Sequence, residues 1–305
     1  MSQFDFVGFG ALNVDKLFKA DKIAGREEES FVMGYHESCG GSAANTTVGL
    51  ARLGLKTGFV GKVADDREGR FLLEDFKRES VDTRGIVLAR GGQSGLVMGF
   101  VDKKGDRALY VAPGVNDTLD RSEISLDYVE IAQFLHLTSF AGEKSFDTQK
   151  KLVQQLSDRV RVSFDPGRLY ADRGLTALGP ILKRAYAVLP NEAELKILSG
   201  KNRPEEGAKT LIAEGAEVVG VKMGNKGCFV TDGKQGHTIA AFKVRVVDTT
   251  GAGDAWNAGF LYGLLKKRGL HECGKIGNLV ASRCIMKMGA RTGLPRLAEL
   301  KVQEL

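Results

Sequence analysis

The chain has 305 residues, 43% hydrophobic and 27% charged, with 44 basic against 38 acidic side chains and a net charge of +6. This composition excludes a globally disordered chain, and the mild basic excess alternates with acids rather than forming an aromatic-studded nucleic-acid patch. Glycine is the outlier, at 39 against 6 prolines; with no three-residue period it excludes collagen and marks places where backbone must come close to something.

Hydrophobic patterning predicts alternating short strands and helices. A buried strand over 4–10 is followed by 13–35, which is poor in helix pattern. A helix over 43–53 starts after Gly40-Gly41 and ends at Gly54. A strand over 59–63, a helix over 67–79 and a strand over 85–89 follow. Residues 96–101 and 106–111 read as a hairpin turning through Asp102-Lys103-Lys104-Gly105-Asp106. Together, 13–35 and 95–112 are expected to form a small β appendage. The alternation resumes with strands over 134–138, 162–165, 187–189 and 218–222, and helices over 145–156, 175–184, 192–198 and 205–214. Antiparallel strands are expected over 227–231 and 236–247, then two long helices over 252–268 and 271–288. This order implies an α/β fold with a mainly parallel sheet covered on both faces. No internal repeat, low-complexity tract or proline-rich linker divides the chain, which implies one domain over 1–305 with lid segments about 13–35 and 95–112.

Several motifs are missing. Asn13 stands where a dinucleotide fingerprint beginning Gly8-x-Gly10 needs its third glycine; there is no P-loop and no nucleophile elbow. His36, His136, His237 and His271 are dispersed. Cys39, Cys228, Cys273 and Cys284 lack metal or redox spacing and read as free thiols of a reducing compartment. The N-terminus has neither the basic nor the apolar region of a leader, and no run of about 18 apolar residues could span a bilayer. A cytoplasmic protein with no membrane or nucleic-acid partner is expected. Lys266-Lys267-Arg268 complements a helix dipole, and the Asn45-Thr46-Thr47 sequon is accidental in such a chain.

The richest segment is Asp248-Thr249-Thr250-Gly251-Ala252-Gly253-Asp254. A strand is expected to end at Val247, and the chain then turns through two glycines into a helix. Small residues there expose backbone N–H groups at the positive end of the helix dipole, an anion hole suited to phosphate. Asp254 in the first turn could accept a proton from an alcohol attacking a phosphoryl group. The plainer reading of either aspartate is a helix cap.

This run, together with Gly40-Gly41-Ser42-Ala43-Ala44-Asn45, resembles the ribokinase/PfkB sugar kinases, a family that includes nucleoside kinases, and the resemblance covers essentially the whole chain. It implies a ribokinase-like fold with a β-sheet lid, and an enzyme that transfers the γ-phosphoryl group of ATP to a sugar hydroxyl. Asp254 would then be the general base, and Gly251, Ala252 and Gly253 the anion hole. Asn13, Asp15, Gly40, Gly41 and Asn45 would bind the acceptor, although 13–15 also reads as a plain turn. Asn191 and Glu194 match an N-x-x-E element that organises Mg²⁺ through water, and otherwise read as a helix start rich in acids. Lys222, Gly224, Asn225 and Gly227 match a turn over the ATP phosphates and ribose, and Asn278 a position lining the adenine pocket. Asp248, Thr250, Cys284, Lys287 and Gly289 match a K⁺ site. Val111 to Asp117 looks ribokinase-like, whereas Ser42 stands where ribokinases commonly carry Lys. A nucleoside kinase is the alternative on the same skeleton, and a non-catalytic sugar- or nucleotide-binding regulator a rival that would not need Asp254. The resemblance also implies a homodimer through the lid.

Overall fold

The computed structural model describes residues 3–104 and 106–300, so Gly105 of the expected hairpin turn lies outside the described residues. In chain order the strands are β1 (Phe4–Phe9), β2 (Asn13–Ala20), β3 (Val32–Gly40), β4 (Thr57–Ala64), β5 (Asp82–Ala89), β6 (Gly95–Val101), β7 (Arg107–Ala112), β8 (Ala132–Thr138), β9 (Arg161–Asp165), β10 (Ala185–Val188), β11 (Val218–Lys222), β12 (Cys228–Thr231) and β13 (Gly236–Ile239). The α-helices are α1 (Ser42–Arg52), α2 (Arg67–Arg78), α3 (Leu126–Glu130), α4 (Glu143–Gln155), α5 (Gly167–Ala171), α6 (Gly174–Leu182), α7 (Glu192–Ser199), α8 (Pro204–Ala213), α9 (Ala252–Leu265) and α10 (Leu270–Cys284).

The larger sheet has the order β13-β12-β11-β10-β9-β8-β1-β4-β5. Pairing is parallel from β5 across to β11, and antiparallel from β11 through β12 to β13. Its strands are apolar runs because both faces are covered, and β4 is buried along its whole length. Alternate residues serve opposite faces. Phe6 and Phe134 join the cluster of Trp256, Phe260 and Val48, while Val7 and Leu135 join that of Tyr170 and Leu178. From β1 the sheet grows one way to β4 and the other way to β8, and a parallel sheet opens a crevice beyond its strand ends at such a reversal.

The smaller sheet, β3-β2-β6-β7, is inserted at that crevice, between β1 and α1 and again after β5. It pairs β2 with β6 in parallel and the other neighbours antiparallel. Its strands and the loop before β3 leave Phe31, Tyr35, Leu109, Tyr110 and Val111 exposed, Phe31 to 80%. All four cysteines are buried, and burial pushes each thiol up to about 12.

Two boundaries differ from the sequence reading. The strand expected over 236–247 stops at Ile239, because Asn278 Nδ2 captures the carbonyls of Ile239 and Ala240 at 3.1 and 3.0 Å. Residues 240–247 are irregular, so no strand leads into the 248–254 run. The last long helix ends at Cys284 rather than Met288. The N–H groups of Val247 and Asp248 take the carbonyl of Ile285, and the Gly289 N–H, which a continuing helix would direct there, donates to Asp248 Oδ2 at 2.8 Å.

Candidate active site

The side expected to take the acceptor is built where β2 follows the end of β1. Asn13 lies between Gly40 of β3 and Gly95 of β6, and Asp15 is registered with Ser38. A Cβ on Gly40 would fall 2.3 Å from Asp15 Oδ2, so only glycine lets this carboxylate lie across β3. Burial pushes Asp15 up to about 6, and the Arg291 guanidinium works against that shift. Asn116 holds the Leu12 N–H and carbonyl at 2.9 Å each and donates to Asn13 Oδ1 at 3.0 Å, fixing the turn before Asn13. Gly41 caps α1, and Asn45 follows in the first helical turn, buried.

The side expected to take phosphate is the start of α9. Gly251 caps it in a left-handed conformation, φ 75°, and a Cβ there would lie 2.6 Å from Ala290 Cβ. Ala252, Gly253 and Asp254 form the first turn, at the positive end of the helix dipole; the Ala252 N–H donates to the Thr249 carbonyl at 3.1 Å, and the amides of Gly253 and Asp254 have no partner within the helix. Asn45 Nδ2 donates to Asp254 Oδ2 at 2.8 Å, and Thr46 Oγ1 donates to the Asp254 carbonyl at 3.3 Å. Burial pushes the Asp254 carboxyl up to about 7, against the hydrogen bonds from Asn45 and Ser42.

The third part lies at the ends of β9, β10 and β11. Lys222 Nζ donates to Asp165 Oδ2 at 2.5 Å and to Asn257 Oδ1 at 3.3 Å, and Asn257 Nδ2 donates to Asp165 Oδ2 at 2.6 Å. Burial alone would raise Asp165, but Lys222 and Asn257 together hold it below its ordinary range. A Cβ on Gly253 would stand 3.7 Å from Lys222 Nζ, which sets this ammonium beside the anion hole. Asn191 and Glu194 cap α7 reciprocally, with Glu194 Oε2 accepting from the Asn191 N–H at 2.8 Å and Asn191 Oδ1 from the Glu194 N–H at 2.9 Å. The Lys222 N–H donates to the Pro190 carbonyl at 2.9 Å, bringing the two segments together. Burial, then the negative charge of Asp165, raises Glu194.

These donors bear on the expected ions. Among the described residues no three His, Cys, Asp or Glu side chains cluster as a metal cage. Two buried acids, Asp165 and Glu194, do repel one another here, a donor set that suits a divalent cation held through its waters. At the expected K⁺ site, Asp248 Oδ1 accepts from the Thr250 N–H and hydroxyl at 2.9 and 2.7 Å, and Cys284 Sγ lies 3.4 Å from the Ala290 carbonyl. Asp248, Thr250, Cys284 and Gly289 therefore meet, while Lys287 is exposed and joins only through its backbone. Gly224 and Asn225 lie on an exposed turn, and Gly227 packs on the Ile239 carbonyl. Asn278 is buried, its amide spent on Ile239 and Ala240 and its Oδ1 on Trp256 Nε1 at 3.0 Å.

Asp165, Asn257, Asn116 and Arg291 were not singled out from the sequence. Asp165 carried a readable signal, a carboxylate at the end of a parallel strand just before Pro166-Gly167. The other three announce themselves only through partners far along the chain.

Comparison with known proteins bears on the family and the fold. The pfkB family carbohydrate kinase pattern matches residues 4–297. An uncharacterized sugar kinase of Archaeoglobus fulgidus is 48% identical over 252 residues, covering 82% of this chain and 99% of the relative. An ATP-dependent ribose-1-phosphate kinase of Halopiger xanaduensis is 31% identical, covering 90% of each chain. The crystal structure of a ribokinase from Thermotoga maritima superposes with a TM-score of 0.87 at 24% identity over 97% of each chain. The chain, with its large mostly parallel sheet and smaller separate sheet, thus belongs to the PfkB carbohydrate kinases and has the ribokinase-like fold.

Proposed function

We propose that this kinase transfers the γ-phosphoryl group of ATP to a hydroxyl of a ribose-like or other small sugar, with Asp254 as the base. The observation that carries the reading is Asn45, which follows the Gly40-Gly41 turn packed on Asp15 and donates to Asp254 in the first turn of α9. As the acceptor oxygen attacks phosphorus, its proton passes to Asp254. The new O–P bond forms as the bond to the leaving ADP oxygen breaks. A carboxyl raised to about 7 is well matched to such a proton. The amides of Gly251 and Gly253 would face the charge that spreads over the phosphoryl oxygens, while the Ala252 N–H holds the Thr249 carbonyl at 3.1 Å and shapes the turn. Asn13 and Asp15 grip acceptor hydroxyls, and their desolvation penalises substrates that lack them. The smaller sheet acts as a lid that keeps water from the reacting phosphate. Mg²⁺, held through water near Glu194 and Asn191, would neutralise the phosphates of ATP. The loop of Asp248, Thr250 and the 284–290 carbonyls would take K⁺. Exposed Phe31, Tyr35 and Tyr110 support pairing of two copies through the lid, which sedimentation would report as a dimer.

The decisive experiment is a panel of sugars, sugar phosphates and nucleosides incubated with Mg-ATP, following ADP release and product mass. Turnover of a sugar or sugar phosphate at the highest kcat/KM supports the reading. Preference for a nucleoside, or no turnover of any member, overturns it.

A further inference from the structure

Between the end of α10 and the acceptor corner lies a chain of side chains that the proposed reaction does not by itself call for. Arg291 Nε donates to Asn45 Oδ1 at 2.7 Å, Nη2 reaches the Gly40 carbonyl at 3.4 Å, and Nη1 pairs with Asp75 Oδ2 of α2. The Arg291 side chain is 10% exposed and its guanidinium stands 5.8 Å from the Phe76 ring centroid. Its backbone is held as well. Arg52 of α1 donates to the Arg291 carbonyl at 2.6 Å and to the Leu294 carbonyl at 3.0 Å, while Glu79 accepts from Arg52 at 2.7 and 2.9 Å. One arginine side chain thus ties α2, β3 and α1 to the segment leaving α10.

We propose that Arg291 is a positioning residue that acts on Asp254 through Asn45. A guanidinium has only donors, so the atom of Asn45 facing it must be the amide oxygen. That choice leaves the NH₂ to face Asp254 Oδ2, where it donates at 2.8 Å. The flipped amide would set oxygen against carboxylate and NH₂ against guanidinium, two repulsive contacts in a poorly solvated place. Arg291 therefore locks the polarity of Asn45. The locked amide holds one carboxylate oxygen of Asp254 in place and fixes the direction in which the carboxylate meets the acceptor hydroxyl, a geometry on which transfer rates depend steeply. Asp75 keeps the guanidinium in place at its far end. The other charged groups bearing on Asp254 are Asp165 of β9 and Lys222 of β11, and neither is joined to Arg291.

This inference rests on Asp254 being the base. The test is a double-variant cycle on the full chain, with the best acceptor of the panel as substrate. R291M is expected to lower kcat about tenfold, with KM for ATP unchanged, because the nucleotide side is untouched. The same substitution is expected to change kcat less than twofold in an N45A background, where there is no amide to orient. R291K, which restores one donor and the charge, should recover part of the rate. A wild-type kcat in R291M, or a tenfold loss repeated in N45A, would overturn the inference. Circular dichroism checks the fold, and if R291M does not fold, R291A, which also removes the donor, replaces it in the cycle with the same two outcomes. Failure of the functional reading is seen separately, as an inactive wild type or a D254N variant that keeps the wild-type rate.

Discussion

Asp165 and Asp254 are the same residue type placed close enough for the charge of one to be felt by the other, yet their surroundings drive them apart. Asp165 ends a strand, accepts from Lys222 and Asn257, and is held in its charged form. Asp254 opens a helix, faces two uncharged donors, and burial pushes it up to about 7. An aspartate locked to an ammonium is a fixed charge that can orient and balance. An aspartate held only by an amide and a hydroxyl can take up and release a proton near neutral pH. The difference lies in the partner each carboxylate is given, and it assigns them different work in one cleft.

The comparison can be broken most directly at Asp254. D254N is expected to lower kcat about 10³-fold, a barrier increase of about 4 kcal/mol, with ATP affinity preserved in calorimetry. If D165N showed the larger kinetic loss and D254N the smaller, the roles would have to be exchanged. The second expectation concerns Asp165 and stability. D165N strands the Lys222 ammonium without its counter-charge and should cost about 3 kcal/mol in urea unfolding. The D165N/K222M double variant should recover much of that loss, because removing the ammonium leaves no uncompensated buried charge. The third and smallest sharpens the contrast through pH. The native carboxyl of Asp254 binds its proton more tightly than the unfolded one, raised from an ordinary 3.8 to about 7. Between those values the folded state therefore holds more protons, and this group's contribution to stability falls as pH rises. D254N should accordingly stabilise the protein at pH 8, on the order of 2 kcal/mol, and by much less at pH 4. Equal stabilisation at both values, read in thermal unfolding, would remove the raised carboxyl from the account.

The sequence made the local parts of this site legible. The 248–254 run and the glycine pair before Asn45 show helix starts with small residues, and the structure joins the two through the Asn45–Asp254 hydrogen bond. The order of strands and helices was readable because the central parallel strands are short, mainly apolar runs, with β4 and β11 buried almost throughout. What was not readable depends on distance along the chain. Asn257 meets Asp165 across 92 residues, and Arg291 meets Asn45 across 246. No local pattern distinguishes Arg291 from the other basic residues of its segment. The misplaced ends of the 236–247 strand and the final helix have the same origin. Propensity favours continuation, but a distant side chain, Asn278 or Asp248, takes the backbone group that continuation needs.

The buried thiols give the molecule a built-in record of its own opening. Cys39 belongs to β3 of the smaller sheet, Cys228 to β12 of the larger sheet, and Cys273 and Cys284 to α10. With thiols raised to about 12 and shielded from solvent, none reacts with an alkylating reagent until its own element parts from its neighbours. The rate at which Cys39 acquires a label therefore times the loosening of the lid, while the other three time the larger unit. Substrate that closes the lid would slow the first clock and leave the others running.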